Sequence, residues 1–345
     1  MRQGQNPAKM GLPAHRPKRL GLALLSYIPS NNGYFAQSLE ILKYQIASVH
    51  GSTADFDLTL FDNGSMPEVQ EQLRQLQVQG LVDFLVLSRY NLGKTGALNW
   101  ILAALPNDMI GFADGDVLFR PGWWEETERI FSLFPNGGLV TAQPCLFDTL
   151  RGAGKASTFL KDDPDYRCFN GPIAPEAVDE YARGTGLDAK LTETLKKSPA
   201  SFVEELKSGF QVVIGASHMQ FVLRRETARR LLPLPAAFAL SRDEDTHLNR
   251  SVDAMGLLHL STPVPFVYHM GNRLDEYTLA EIQRLGLDEI LRQSSGKQNE
   301  PAVVEMSSAK RRALRILGSL SRWAFFRKTV QRLYNFLFEY YSQKK

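Results

Sequence analysis

Short apolar runs alternate with polar clusters along the first third of the chain. Leu20–Tyr27 is almost continuously apolar, the composition of a strand buried on both faces of a parallel sheet. Pro29-Ser30-Asn31-Asn32-Gly33 breaks the run as a loop, and Tyr34–Val49 then carries Leu39, Leu42 and Ile46 at helical spacing. Phe56–Phe61 is a second strand-like run and ends at Asp62-Asn63-Gly64-Ser65. Ser65-Met66-Pro67-Glu68 has the pattern of a capping box and predicts a helix to about Gln79. Val82–Leu87, Thr95–Leu105 and Met109–Ala113 continue as strand, helix and strand. This rhythm predicts an α/β fold with a doubly wound, mostly parallel sheet. The polar clusters Tyr27–Asn32, Asp62–Ser65, Arg89–Thr95 and Asp114–Asp116 all follow strands, where ligands sit in such sheets.

Further along, Pro121 opens a predicted helix through Phe134, with Trp123 and Trp124 near its start. The tryptophans could stack on a ligand ring or simply pack the first turn. Leu139–Phe147 reads as a strand. Residues 148–210 lose the alternation and show helical patches near Ala174–Arg183, Leu187–Lys197 and Ser201–Lys207, which predicts a helical insertion. Val212–Arg224 returns to strand character, Ser241 begins a helix, and Pro265–Tyr268 reads as a strand leading into His269-Met270-Gly271-Asn272. The expected organisation is a flexible N-terminus over residues 1–17, a main domain over 18–293, a polar linker over 294–306 and a tail over 307–345.

Composition is that of an ordinary soluble globular chain, with 43% hydrophobic and 22% charged residues. Charge is unevenly placed. From Ser307 to Lys345 ten Lys and Arg face one Glu, a net of +9 within an overall +3, so the body is mildly acidic. Cys145 and Cys168 form no metal-spaced pair and indicate reduced thiols in the cytoplasm. No run is long enough to span a bilayer. Lys18-Arg19 before Leu20–Ile28 superficially resembles a signal peptide but reads better as the first strand.

The tail carries Leu317, Leu320, Trp323, Phe326, Val330, Leu333 and Leu337 at three- and four-residue steps, among Arg315, Arg322, Lys328 and Arg332. That pattern fits an amphipathic helix lying on an anionic membrane surface, at the inner face of the cytoplasmic membrane. Packing on the domain or on a second copy in a homo-oligomer fits it equally. Nucleic-acid binding is a poor third, because no recognition fold accompanies the charge.

Asp114-Gly115-Asp116 carries the strongest chemical signal. Two carboxylates at the end of a buried strand are costly unless a cation meets them. Gly115 lets the backbone turn and a ligand approach closely. With no Lys or Arg beside them in sequence, alternate carboxylates suit a hard divalent cation held partly by phosphate oxygens. A plain surface turn is the competing reading.

Taken together, the segments resemble the inverting glycosyltransferases of family 2, with the A-type, Rossmann-like nucleotide-sugar-binding fold. Leu25–Pro29 is similar to that family's opening strand and loop, and Phe61-Asp62-Asn63-Gly64-Ser65 to its nucleoside motif. Asn91–Asn99 resembles its Asn-x-Gly segment, and Ala113–Asp116 its Asp-x-Asp (DXD) motif. Gly215–Arg225 resembles the strand ending in paired arginines, and Arg242–Arg250 the Glu-Asp helix.

The resemblance implies that Tyr27, Pro29, Asp62, Asn91, Lys94 and Asp114 line a nucleotide site. It gives Asp116 and His269 as metal ligands for Mn2+ or Mg2+, the imidazole favouring manganese over calcium. Asp245 is implied as the base, although Asp243-Glu244-Asp245 leaves Asp243 as a rival and Glu244 as part of a capping box. His218 and His247 read as ordinary.

The implied activity is metal-dependent, inverting transfer of a sugar from a nucleotide-diphospho-sugar, a UDP-sugar, to a hydroxyl of a glycan or lipid-linked glycan. Such a reaction belongs to polysaccharide or glycolipid biosynthesis. The rivals are a retaining transferase on the same fold, a sugar nucleotidyltransferase and a non-catalytic carbohydrate-binding protein. The nucleotidyltransferase would want a Gly-rich, Arg/Lys-bearing loop after the first strand, which Pro29–Gly33 is not.

Overall fold

The predicted β-α-β-α-β-α-β run is present almost residue for residue. β1 (Leu20–Ser26), α1 (Ser38–Ser52), β2 (Phe56–Asp62), α2 (Pro67–Val78), β3 (Phe84–Leu87), α3 (Gly93–Ala104) and β4 (Met109–Asp114) follow in order. The structure is a computed structural model and describes residues 15–146, 160, 163–235 and 243–295, with the side chains of 243–246, 294 and 295 left outside. Successive residues of β1 face opposite ways. Leu22 and Leu24 pack with Leu42 and Ile46 of α1 and Leu73 of α2, whereas Ala23 packs with Leu98 and Ile101 of α3. A strand covered by helices on both faces has no polar face to show, hence its unbroken apolar sequence.

The chain continues through β5 (Val117–Phe119), α4 (Trp123–Leu133), β6 (Gly137–Thr141) and β7 (Tyr166–Gly171). Next come α5 (Pro175–Thr185), α6 (Ala189–Lys197), β8 (Ala200–Glu205), β9 (Phe210–Ile214) and β10 (Gln220–Arg224). After these come α7 (Arg225–Leu231), α8 (Asp243–Ala254), β11 (Leu258–Ser261), β12 (Val267–His269), α9 (Glu276–Arg284) and α10 (Leu287–Ser295). Among the described residues ten strands form one sheet in the order β3-β2-β1-β4-β10-β6-β11-β9-β8-β7, and β12 pairs with β5 in a separate ribbon.

The sheet is mixed, not mostly parallel. β3-β2, β2-β1, β1-β4 and β6-β11 are parallel, while β10 runs antiparallel to both β4 and β6, and β11-β9, β9-β8 and β8-β7 are antiparallel. A strand buried on both faces carries the same apolar signature in either direction. The single strand expected over Val212–Arg224 is two strands, β9 and β10, with Gly215 at φ +124° between them. The helical patch expected at Ser201–Lys207 is strand β8, whose Phe202 and Val203 are buried. The segment between β6 and β9 therefore extends the sheet with β7 and β8 as well as adding α5 and α6.

β1 has β2 on one side and β4 on the other. Strand order reverses at that point, and the carboxyl ends of β1 and β4 open the crevice where ligands bind in sheets of this kind. Among the described residues no helix is long and apolar enough to cross a membrane.

Candidate functional site

Asp62 ends β2 and is fully buried. Ser26 Oγ (3.1 Å), the Ser65 amide (3.1 Å), Gln70 Nε2 (2.9 Å) and Ser65 Oγ all donate to its carboxylate. Ser65 Oγ also accepts from the Ile28 amide at 2.8 Å. Ser65 thus braces the loop; it does not cap α2, whose N-cap is Met66. Asn63 does similar work on the other side: its Oδ1 accepts from the Leu92 amide at 2.9 Å, and its Nδ2 donates to Asn91 Oδ1 at 3.1 Å. Asn91 Oδ1 accepts from the Gly93 amide at 2.8 Å, an Asx turn that starts α3. Gly64, at φ +92°, is needed because a Cβ would meet the Tyr90 backbone at 2.8 Å. The carboxylate of Asp62 and the amide of Asn91 are thereby engaged within the chain, holding the loops that frame the crevice.

Asp114 and Asp116 differ in their surroundings. Lys94, in the first turn of α3, places Nζ 2.7 Å from Asp114 Oδ2 and 3.3 Å from the His218 carbonyl. A cation absent from the neighbouring sequence therefore reaches Asp114 from the adjacent helix. The Asp114 amide is fixed to the Met219 carbonyl at 2.8 Å, and its own carbonyl accepts from the buried Gln45 side chain of α1. Gly115 passes so close to β1 that a Cβ would lie 2.8 Å from the Leu25 carbonyl oxygen. Asp116 Oδ1 is buried with no hydrogen-bond partner. Burial pushes the Asp116 carboxyl up from its ordinary range; the charge of a protonated His269 would oppose that, Asp114 reinforces it and Lys94 opposes it more weakly.

His269 reaches the triplet through the β5–β12 ribbon. Val117 is paired with His269, and the Met270 amide donates to the Asp116 carbonyl at 2.8 Å. His269 Nε2 lies 3.5 Å from Asp116 Oδ2, and Nδ1 lies 2.9 Å from the Gly184 carbonyl of α5. A carbonyl can only accept, so Nδ1 carries a proton; in the neutral form of the ring that leaves the Nε2 lone pair facing Asp116.

A cavity of about 190 Å³ gathers Tyr27, Asp114, Asp116 and His269, walled by Tyr34, Phe35 and Asn272. Pro29, Asp62, Asn91 and Lys94 do not line it; Pro29 and Asn91 are exposed on their loops, while Asp62 and Lys94 bond the lining residues Ser26 and Asp114. Asp245 and Asp243 fall in α8, and their side chains lie outside the described residues, as does Ser241. Trp123 and Trp124 are core residues at 0% and 9% exposure, so both pack the start of α4. His247 Nε2 meets Ser251 Oγ at 3.4 Å, an ordinary helix contact. Sequence reasoning missed Gln45 and Gly184. A buried glutamine on an amphipathic helix was the one available hint, and nothing marked Gly184.

Among the described residues no group of three or more His, Cys, Asp or Glu could hold a metal ion. The two that converge nonetheless fit a cation completed by outside oxygen ligands. Asp116 Oδ1 is an orphaned buried acceptor, and the Nδ1–H···O=C bond of His269 is the outer support that metal-bound histidines use.

With that geometry in place, the sequence comparisons are concordant. The family described as Glycosyl transferase family 2 matches residues 31–232, more than half of the chain. The chain belongs to glycosyl transferase family 2. It is 26% identical over 116 residues to an uncharacterized glycosyltransferase of Nostoc sp. (strain PCC 7120), a stretch spanning 34% of each protein. The match thus spans about a third of that relative's length.

Solved structures give looser likenesses. The mannosyltransferase PcManGT from Pyrobaculum calidifontis, in complex with GDP-Man and Mn2+, is 13% identical with a TM-score of 0.45, covering 95% of this chain and 89% of that one. GalNAc-T7 with UDP, GalNAc and Mn2+ is 13% identical with a TM-score of 0.46, covering 79% of this chain and 48% of that one. Likeness at this level does not bear on which donor or metal this chain uses.

Proposed function

We propose that the chain transfers a sugar from a nucleotide-diphospho-sugar, a UDP-sugar, to a hydroxyl of a glycan or lipid-linked glycan, with inversion and with a divalent cation. The observation that carries this is the pair at the crevice: Asp116, with a buried oxygen lacking a donor, faces His269 Nε2 at 3.5 Å in a family 2 chain. Those two side chains would hold Mn2+ or Mg2+, the remaining ligands coming from the substrate diphosphate and water. When bound, such a cation stabilises the charge of the departing nucleoside diphosphate as a Lewis acid.

The residues divide the rest of the work. Tyr27 and Tyr34, 40% and 67% exposed, offer rings on which a nucleobase can stack at the cavity mouth. Asp62 and Asn63 keep the loops beneath the nucleotide in place, and Lys94 holds Asp114 in its rotamer beside the ribose. Asp245 is assigned as the base that takes the acceptor proton on the far face of the sugar, which in-line attack with inversion requires.

A thermal-shift screen of UDP- and GDP-sugars, each with and without Mn2+, tests the reading. Stabilisation by one sugar nucleotide only when Mn2+ is present is expected. Stabilisation by free sugars alone, with no response to any nucleotide, would make the chain a carbohydrate-binding protein. Anomer analysis of the transfer product by NMR separates inversion from retention.

A further inference from the structure

Behind the crevice lies an ion cluster that the reaction does not touch. Arg120 follows β5, and its guanidinium is almost enclosed, at 13% exposure, as are Glu180 at 11% and Glu281 at 13%. Nη1 and Nη2 donate to the two oxygens of Glu180 at 2.9 and 2.8 Å, a two-pronged match, and Nε donates to Glu281 at 2.9 Å. The Tyr277 hydroxyl donates to the same Glu180 carboxylate. Burial and the Glu180 bond push the Tyr277 hydroxyl up to about 12, so it stays a donor. A buried cluster of this kind is a poor source of stability compared with apolar residues of similar size, but it fixes geometry tightly.

What it fixes is α5. Glu180 and Gly184 are four residues apart, one turn along the same face of that helix. Gly184 is the residue whose carbonyl accepts the His269 Nδ1 proton, and a Cβ there would lie 2.0 Å from the His269 carbonyl oxygen. Helix and ribbon are in backbone contact, so a small slide of α5 along β12 would break the His269 bond.

We propose that Arg120 and Glu180 are positioning residues: they clamp α5 so that the Gly184 carbonyl holds His269 as the Nδ1–H tautomer, with Nε2 turned toward Asp116. This rests on the metal reading for its purpose, but the tautomer itself is a property of the metal-free protein. The segment between β6 and β9 thereby contributes the outer support of a ligand whose partner, Asp116, belongs to the first half of the chain. Losing such a support commonly weakens metal binding about 10- to 100-fold.

The test uses the full-length protein labelled with 15N at histidine, observed without metal at a pH where His269 is neutral and assigned with His269→Gln. Long-range 1H–15N spectra should show the Nδ1–H tautomer in the wild type and a mixture in Glu180→Gln and Arg120→Lys. Tyr277→Phe, which removes one hydrogen bond from Glu180, should give a smaller change in the same direction and decides the matter if the charge variants do not fold. Mn2+ affinity with UDP or GDP present, read by electron paramagnetic resonance of the free ion, should fall about 10-fold or more in Glu180→Gln. Arg224→Lys is the control, because Arg224 bonds the Phe131, Pro135 and Gly137 carbonyls at the other end of β4; it should leave tautomer and affinity unchanged. A wild-type His269 protonated on Nε2, or an unchanged tautomer in all three clamp variants, would overturn the proposal. Absence of Mn2+ binding by the wild type would sink the metal reading instead, leaving the tautomer spectra to judge the clamp.

Discussion

Lys94 Nζ stands 2.7 Å from Asp114 Oδ2, whereas the second carboxylate of the same triplet, Asp116, has a buried oxygen with no donor. The two acids are therefore unequal: the first is answered by a fixed cation, and the second is left open. Both members of the Lys94–Asp114 pair are mostly covered, with 18% and 25% of their side-chain surfaces exposed.

Removing Lys94 alone leaves Asp114 poorly compensated. Lys94→Met should cost about 1–3 kcal/mol, less than the loss of a fully buried pair because water still reaches this one. Adding Asp114→Asn should restore part of that loss, so the double variant loses less than the sum of the singles. Urea denaturation of all four proteins measures the coupling, and strict additivity would show that the pair does not interact.

Asp116 gives a prediction opposite in sign. Its carboxyl is raised by burial, so the folded protein holds that proton more tightly than the unfolded chain does. Above the raised value the ionised group destabilises the metal-free fold. Asp116→Asn should therefore melt higher than wild type in metal-free buffer near neutral pH. The gain should fade as pH falls through and below the ordinary carboxylate range, beneath which Asp116 is protonated in both states. The same variant should lose any stabilisation by Mn2+ with sugar nucleotide. A lower melting temperature without metal would refute the assignment of Asp116 as a strained functional acid.

The α/β half from β1 to β4 was legible because each strand is an apolar run ended by polar loop residues, and each helix repeats at its own period. Strand direction was not, which is why antiparallel β10 between β4 and β6 came as a correction. A strand was expected over Pro265–Tyr268, where β12 lies, but its partner β5 was invisible for a different reason: at three residues it is too short for any periodicity. In the site, the Asp-Gly-Asp triplet and His269 could be picked out by residue type. The Lys94 contact joins residues 20 apart and the Gly184 contact joins residues 85 apart, and a backbone carbonyl leaves no trace in residue type.

Asp62 should behave as a structural residue. Asp62→Ala strands the Ser26, Ser65 and Gln70 donors around a buried void and should cost about 3–5 kcal/mol. A carboxylate whose only role is an exposed contact to a nucleotide would cost almost nothing. Calorimetric melting of the ligand-free variant distinguishes the two, and a melting temperature equal to wild type would remove Asp62 from the scaffold of these loops.

The base assignment rests on α8. Asp245→Asn should slow transfer by about two to four orders of magnitude while leaving donor affinity nearly unchanged, since the base acts on the acceptor. Asp243→Asn should keep most of its activity. Initial rates with saturating donor, alongside donor binding by calorimetry, check both, and the reverse ranking would move the role to Asp243.

The tail, residues 307–345, lies outside the described residues, and its sequence alone makes the last prediction. It combines a net charge of +9 with an apolar stripe from Leu317 to Leu337. Each basic residue near an anionic bilayer contributes about 1 kcal/mol, and the buried Trp and Phe side chains add to it. Full-length protein should therefore sediment with vesicles containing phosphatidylserine, release in part at high salt because the charge contribution is screened, and largely ignore phosphatidylcholine vesicles. A chain ending at residue 306 should bind neither kind of vesicle and still respond to sugar nucleotide with Mn2+, since every proposed site residue precedes Asn272. If the full-length protein ignored anionic vesicles, or if the shortened chain failed to fold, the stripe would instead be packing surface, toward the domain or toward a second copy. Sedimentation equilibrium of the two chains would then tell which, because only the second case changes the mass of the particle.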